Sequence, residues 1–154
     1  VLVLEYNRLT YEHSQITTMT TTEYWATPRG NESKERPVID VALSVSSFDH
    51  DGLGRYGDPI APDGDLLAMD SARTVVKPGG LLFLTVPVGP DIVVWNLHRR
   101  YGRHRLPLLL RGWDQLPCPD CGWDEQRVDE DANWRRTYEP VFVLRNLASN
   151  AEAP

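Results

Sequence analysis

At 154 residues, with 41% hydrophobic residues and no apolar run near the ~20 residues of a membrane span, the sequence suits one soluble domain burying roughly two thirds of its unfolded surface. Its net charge of −6 excludes a nucleic-acid binder that works through overall charge, because neutralising phosphates needs a basic surface. The two cysteines exclude a disulfide-scaffolded miniprotein and fit a reducing compartment.

The amino terminus has neither a methionine nor the charged-then-apolar layout of a signal peptide. It opens inside an apolar strand, which predicts a cytoplasmic chain with residues missing upstream. Val1 to Glu5 is apolar without alternation, so a buried strand ending in an acid is expected. The threonine-rich run from Gln15 to Tyr24 predicts a second strand, with Ile16 and Met19 as its packing residues. Residues 27 to 37 are polar and broken by Pro28, Gly30 and Pro37, as in a surface loop.

Val38 to Val45 is nearly continuous apolar sequence and predicts a strand at the centre of a parallel sheet, covered on both faces. A helix follows from about Gly64 to Lys77, with Ala68, Met69, Ala72, Val75 and Val76 on one stripe. Asp63 or Asp65 can cap its start, and Lys77-Pro78-Gly79-Gly80 stops it. Leu81 to Val88 is the next strand, so strand, helix and strand form a crossover unit and the class is α/β. Residues 95 to 106 read as a loop leading to a short helix near Pro107. Gly122 to Val128 and Tyr138 to Asn146 read as two closing strands, separated by the acidic turn from Asp129 to Asp131 and a polar stretch from Asn133 to Arg136. A single domain over 1–147 with a frayed tail over 148–154 is the expected organisation.

Chemistry concentrates between Ser46 and Asp65, where twenty residues hold five aspartates, four glycines, His50 and Arg55. Glycines permit positive φ and close backbone approach, while Asp49, His50 and Asp51 supply acceptors and a titratable base. The alternative is a tight turn whose aspartates cap helices and pair with Arg55. A lone histidine among acids at a strand end tips the reading toward a site. Asp49, His50 and Asp51 could also ligate a divalent cation, and Asp63-Gly64-Asp65 is similar to the metal-holding acid pair of many glycosyltransferases. Acid pairs at that spacing are common, so no metal is assigned.

A second concentration is basic. Between Ile92 and Arg111 there is no acid, but there are five arginines with His98 and His104. His98, Arg99 and Arg105 either hold a phosphate or carboxylate or pair with the aspartate-rich loop. Cys118 and Cys121 have the spacing of half a zinc site without a second pair, and so read as two loop thiols.

The segments VLVLEYN, SFDHDGLGRYGDPIAPDGD, VKPGGLLFLTVPVG and WNLHRRYGRHRLP closely resemble the family called domain of unknown function 268. That family is in turn similar to class I S-adenosylmethionine-dependent methyltransferases. The resemblance implies a Rossmann-like, mostly parallel α/β sheet of the methyltransferase type, here lacking its first strand and glycine-rich loop. It implies that Glu5 binds the ribose hydroxyls of S-adenosylmethionine and that Ser44 and Ser46 line the cofactor edge. His50, with Asp49, would be catalytic, and Asp51, Arg55, Tyr56, His98, Arg99 and Arg105 would bind substrate. The implied activity of the full-length chain is methyl transfer to a small or carbohydrate-like acceptor, with no nucleic-acid or membrane partner. With the glycine-rich loop missing, cofactor binding by this chain is expected to be poor. The alternative is a noncatalytic or nucleotide-sugar-binding module on the same fold.

Overall fold

The structure is a computed structural model and describes residues 1–27, 38–130 and 138–147. The chain divides into two compact units, Val1–Pro37 with Tyr56–Asp58, and Val38–Arg55 with Pro59–Pro154. The polar loop from Pro28, the stretch from Asp131 to Arg136 and the tail from Ala148 fall outside the described residues.

In the first unit, strand β1 (Leu2–Glu5) pairs in parallel with β2 (Thr17–Thr20), Leu2 opposite Thr17 and Glu5 opposite Thr20. The threonine-rich run does not continue as a strand to Tyr24. Helix α1 (Thr21–Ala26) begins instead, because Thr20 and Glu23 close a capping box. The Glu23 N–H donates to Thr20 Oγ1 at 3.1 Å and the Thr20 N–H donates to Glu23 Oε2 at 2.8 Å. Two orphan donors are satisfied at once, which outweighs the strand preference of β-branched residues.

In the second unit, β3 (Ile39–Val45) leads through the aspartate–glycine loop into helix α2 (Gly64–Val75), and β4 (Val76–Thr85) returns parallel to β3. This is the crossover expected from the sequence, and Met69, Val75 and Val76 of the anticipated stripe are buried. An antiparallel ribbon follows, β5 (Ile92–Val94) with β6 (His98–Arg100), where a loop was expected. Helix α3 (Arg105–Leu109), strand β7 (Trp113–Leu116) and strand β8 (Val141–Asn146) complete the unit. The expected strand over 122–128 is absent. Its residues form a one-turn helix over Glu125–Asp129, where Asp124 Oδ1 accepts the Gln126 N–H at 3.0 Å.

The sheet order is β3-β4-β8-β7, and β8 runs antiparallel to both of its neighbours. The expectation of a Rossmann-like, mostly parallel sheet is therefore wrong: the described residues form one mixed four-stranded sheet, one parallel pair of strands and one antiparallel pair. A parallel neighbour needs a long crossover, usually a helix. Helix α2 supplies it between β3 and β4, whereas the 24 residues between Leu116 and Val141 contain no α-helix among those described and return β8 antiparallel to β7. Nor is β3 central. It lies at the sheet edge, with Val41, Leu43 and Val45 at 51%, 76% and 69% exposure. The core lies on the other face, where Leu82, Leu84, Phe142 and Leu144 pack with Met69, Tyr101, Leu109 and Trp113. Asn146, buried at the end of β8, donates to the Arg73 and Val76 carbonyls at 2.8 Å each and so ties the end of α2 to the sheet. Among the described residues no helix is long and apolar enough to cross a membrane.

The irregular loop is fixed by one ionic network. Asp65, in the first turn of α2 and fully buried, accepts from Tyr101 Oη at 2.9 Å and from Arg105 Nε and Nη2 at 2.9 and 2.6 Å. Arg99 Nε lies 3.6 Å from the same carboxylate, and its guanidinium, 1% exposed, donates to the carbonyls of Asp51, Ala61 and Pro62 at 2.5, 3.3 and 3.1 Å. Asp65→Ala would leave Arg99 charged and buried without its carboxylate, a loss of about 3–5 kcal/mol in urea unfolding. Arg103→Ala, which breaks the exposed pairs with Asp129 and Glu125, should leave the urea midpoint nearly in place. Equal midpoints for the two variants would refute the assignment.

Candidate functional site

The site begins where β3 ends. Ser46 adopts φ 43°, and its N–H donates to the Thr85 carbonyl and to Thr85 Oγ1 at 3.0 and 3.1 Å, which turns the chain away from the sheet. Phe48–His50 then forms a single helical turn. Gly52 (φ 78°) and Gly64 let the loop close on itself. A Cβ on Gly52 would stand 2.1 Å from the Ala61 carbonyl oxygen, and one on Gly64 would stand 2.6 Å from the Gly52 Cα. The spacing Gly52-x-Gly54-x-x-Gly57 matches a dinucleotide fingerprint, but no helix opens directly after it, since α2 starts at Gly64. These glycines serve the turn, without the strand–loop–helix setting that phosphate binding needs.

Within that turn Asp49 is fully buried and neither carboxylate oxygen has a hydrogen-bond partner. Its Oδ2 faces His50 Nε2 at 3.6 Å. The opposite ring nitrogen, His50 Nδ1, is hydrogen-bonded to the Leu97 carbonyl, which also accepts from Arg55 Nη1 at 3.0 Å. A carbonyl only accepts, so Nδ1 carries the proton. Nε2 of a neutral ring would then point a lone pair at the carboxylate. The arrangement is satisfied when the pair holds one further proton, on Asp49 or on Nε2. Burial pushes the Asp49 carboxyl up to about 6, opposed by the neighbouring His50 and Arg55 charges and reinforced by Glu139. His98, at the start of β6, is held below the ordinary imidazole range by burial and by the charge of His50.

The other expected residues fall in several places. Arg99 and Arg105 are structural cations committed to Asp65 and to loop carbonyls, so of the two readings of the basic segment theirs is the pairing one. Asp51 is buried, and its carbonyl receives Arg99. Arg55 is held on Leu97 beside His50. Tyr56 is half exposed in the first unit, where its N–H donates to Asp58 Oδ1 at 3.2 Å. Glu5 is exposed at the end of β1 in that unit. Ser44 is buried in β3 with its hydroxyl lacking a partner, and the Ser46 N–H is bonded to Thr85. Ser44 and Ser46 thus belong to the second unit and Glu5 to the first.

Sequence reasoning missed Leu97, whose role is carried by a backbone carbonyl with no residue-type signal. It also missed Glu139, which acts on Asp49 from 90 positions away in the sequence. Among the described residues no group of three or more His, Cys, Asp or Glu is placed to hold a metal ion. Cys118 and Cys121, read as loop thiols, are joined in a disulfide.

The buried acid has a consequence for stability. With its carboxyl raised from 3.8 to about 6, the folded state binds a proton in that interval more tightly than the unfolded state. The associated stability is therefore complete below about pH 4 and is lost as pH rises through about 6. Asp49→Asn removes the titration and should raise stability by up to about 3 kcal/mol at pH 7.5 while leaving it unchanged at pH 4. Urea midpoints of both proteins across that range test this, and parallel pH profiles would refute a raised Asp49.

No curated protein and no solved structure matches this chain, so likeness to methyltransferases has the sequence motifs as its whole support. A family model does match, over residues 1–138, and its segment includes the β3–α2 loop, the β5–β6 ribbon and both ends of the Asp65 network. By that match the chain belongs to the family described as Caenorhabditis protein of unknown function, DUF268.

Proposed function

We propose that this chain is an acid–base enzyme in which His50, positioned by Asp49 and the Leu97 carbonyl, moves a proton at a hydroxyl of a small, carbohydrate-like acceptor. The observation that supports this most is the contrast between two buried carboxylates. Asp65 is surrounded by donors, as a structural acid should be, whereas Asp49 is equally buried and has none. Burying a carboxylate without hydrogen bonds costs several kcal/mol, and such unsatisfied acids cluster where a raised pKa serves proton transfer.

In this reading the acceptor hydroxyl gives its proton to His50 Nε2 while Nδ1–H stays on Leu97. The Asp49 carboxylate at 3.6 Å stabilises the imidazolium that forms. The side chain of His50 is 14% exposed, so a ligand can reach the ring while Asp49 stays out of water. His98, kept neutral by its surroundings, adds a second imidazole without a competing charge. Methyl transfer from S-adenosylmethionine rests on the motif resemblance and on no geometry of these residues.

Turnover of nucleotide sugars and free hexoses, followed by mass spectrometry with and without S-adenosylmethionine, tests the proposal. On any substrate that turns over, His50→Ala should lower kcat by roughly 10²–10⁴-fold with KM within a few-fold. Wild-type kcat should fall as pH drops through about 6, where Asp49 takes up its proton. An undiminished kcat in His50→Ala would remove His50 as the proton-transferring group.

A further inference from the structure

The disulfide between Cys118 and Cys121 lies away from the loop just described and has its own surroundings. It spans three positions in the sequence, with 5.3 Å between Cα atoms. A cross-link that closes so short a loop constrains the unfolded chain least of all, so chain entropy gives it little structural purpose. The turn is also held without it. The Cys121 N–H donates to the Cys118 carbonyl at 3.1 Å, and Gly122 turns the chain with φ 74°. The Tyr138 hydroxyl donates to the Gly122 carbonyl and accepts from the Asp124 N–H at 2.6 Å. Trp123 packs on Phe142 with ring centroids 5.0 Å apart. The backbone of the turn thus has holds of its own besides the disulfide.

Both cysteines are partly exposed, and Cys118 forms part of the wall of an open cavity of about 240 Å³. Leu116, Pro117, Trp123 and Val141 make the rest of that wall largely apolar, with Gln115 also lining it. Cys121 is not among the lining residues, so of the two cysteines it is Cys118 that borders the cavity. Asp120 and Asp124 flank the turn and disfavour a visitor whose carrier group adds further negative charge.

We propose that Cys118–Cys121 is a thiol–disulfide exchange site for a thiol carried on an uncharged apolar group, with Cys118 as the sulfur attacked. A thiolate seated in the cavity forms a bond to Cys118 Sγ. The Cys118–Cys121 bond breaks, its electron pair leaves on Cys121 Sγ, and that thiolate takes a proton from water. A second thiol then attacks the visitor's sulfur in the mixed disulfide and releases Cys118 as a thiolate. Two thiols become one disulfide, and the protein pair gains the two electrons.

The test compares benzyl mercaptan with glutathione, at equal thiolate concentration, on the folded chain and on a peptide of residues 116–123. Quenching with N-ethylmaleimide alkylates the released sulfur and leaves the visitor on the attacked one, which peptide mass spectrometry then identifies. The expected result is an adduct on Cys118 with alkylation of Cys121, and a rate preference for benzyl mercaptan at least 10-fold greater in the protein than in the peptide. Val141→Phe fills the cavity and Gln115→Trp covers it from an exposed position. Each should return both the preference and the sulfur selectivity to the peptide's values. Equal adducts on the two cysteines, or a preference no different from the peptide's, would overturn the proposal.

Discussion

Everything that gives this chain a site depends on the burial of Asp65 between two arginines. Removing three charges from water is costly, and the network repays this only because each remaining donor and acceptor is also engaged. Arg99 meets that condition with three main-chain carbonyls and Arg105 with the carboxylate and the Pro62 carbonyl. A planar guanidinium suits this task where an ammonium would not, since its donors diverge in a fixed fork toward several acceptors at once. The result is that a loop with little regular secondary structure, rich in glycine and therefore costly to order, acquires a single conformation.

The ribbon that supplies Arg99 also supplies partners of the candidate site, from the turn just before strand β6. The Leu97 carbonyl holds both His50 and Arg55, and Arg99 holds the carbonyl of Asp51, so residues 97 to 99 fix loop positions on either side of the imidazole. Structural and chemical roles therefore sit within a few residues of one another where the turn enters the strand. A change in the network cannot leave the imidazole undisturbed, because the donor that orders the loop and the acceptor that sets the tautomer sit two residues apart. The counter-charges of Arg99 and Arg105 come from the loop they clamp, and those of Arg103 from Glu125 and Asp129.

Much of this was legible in the sequence, and what was not has identifiable physical reasons. The apolar runs at β1, β3 and β4 and the stripe of α2 could be read from their pattern, whereas the punctuation misled: Asp63 makes no side-chain capping bond, and the helix ends at Val75, before Lys77-Pro78-Gly79-Gly80, which lies inside β4. Strand direction could not be read, since the apolar Val141–Leu144 run is equally compatible with a parallel or an antiparallel neighbour. The capping box at Thr20 was present as Thr-x-x-Glu but was overshadowed by the threonine run that precedes it. At the site, Asp49 and His50 could be named from their setting, whereas the division of labour among the acids could not. Asp49, Asp51 and Asp65 are alike as residue types, and only tertiary placement decides which receives donors.

That division is the strongest physical statement the fold makes about itself. Two carboxylates of the same loop region are both withdrawn completely from water. One is given three hydrogen bonds from Tyr101 and Arg105, and the other is given an imidazole just beyond hydrogen-bond distance and no side-chain donor among the described residues. A chain selected for stability alone would replace the second with an amide or an apolar residue at no structural loss, because nothing hydrogen-bonds to it. Keeping an acid there, with its carboxyl raised by burial to about 6, leaves a buried group that exchanges its proton near that pH, with the His50 imidazole 3.6 Å away. The energy given up at Asp49 and the energy gained at Asp65 are two parts of one arrangement, in which the arginine network secures the loop firmly enough to tolerate an unsatisfied acid inside it.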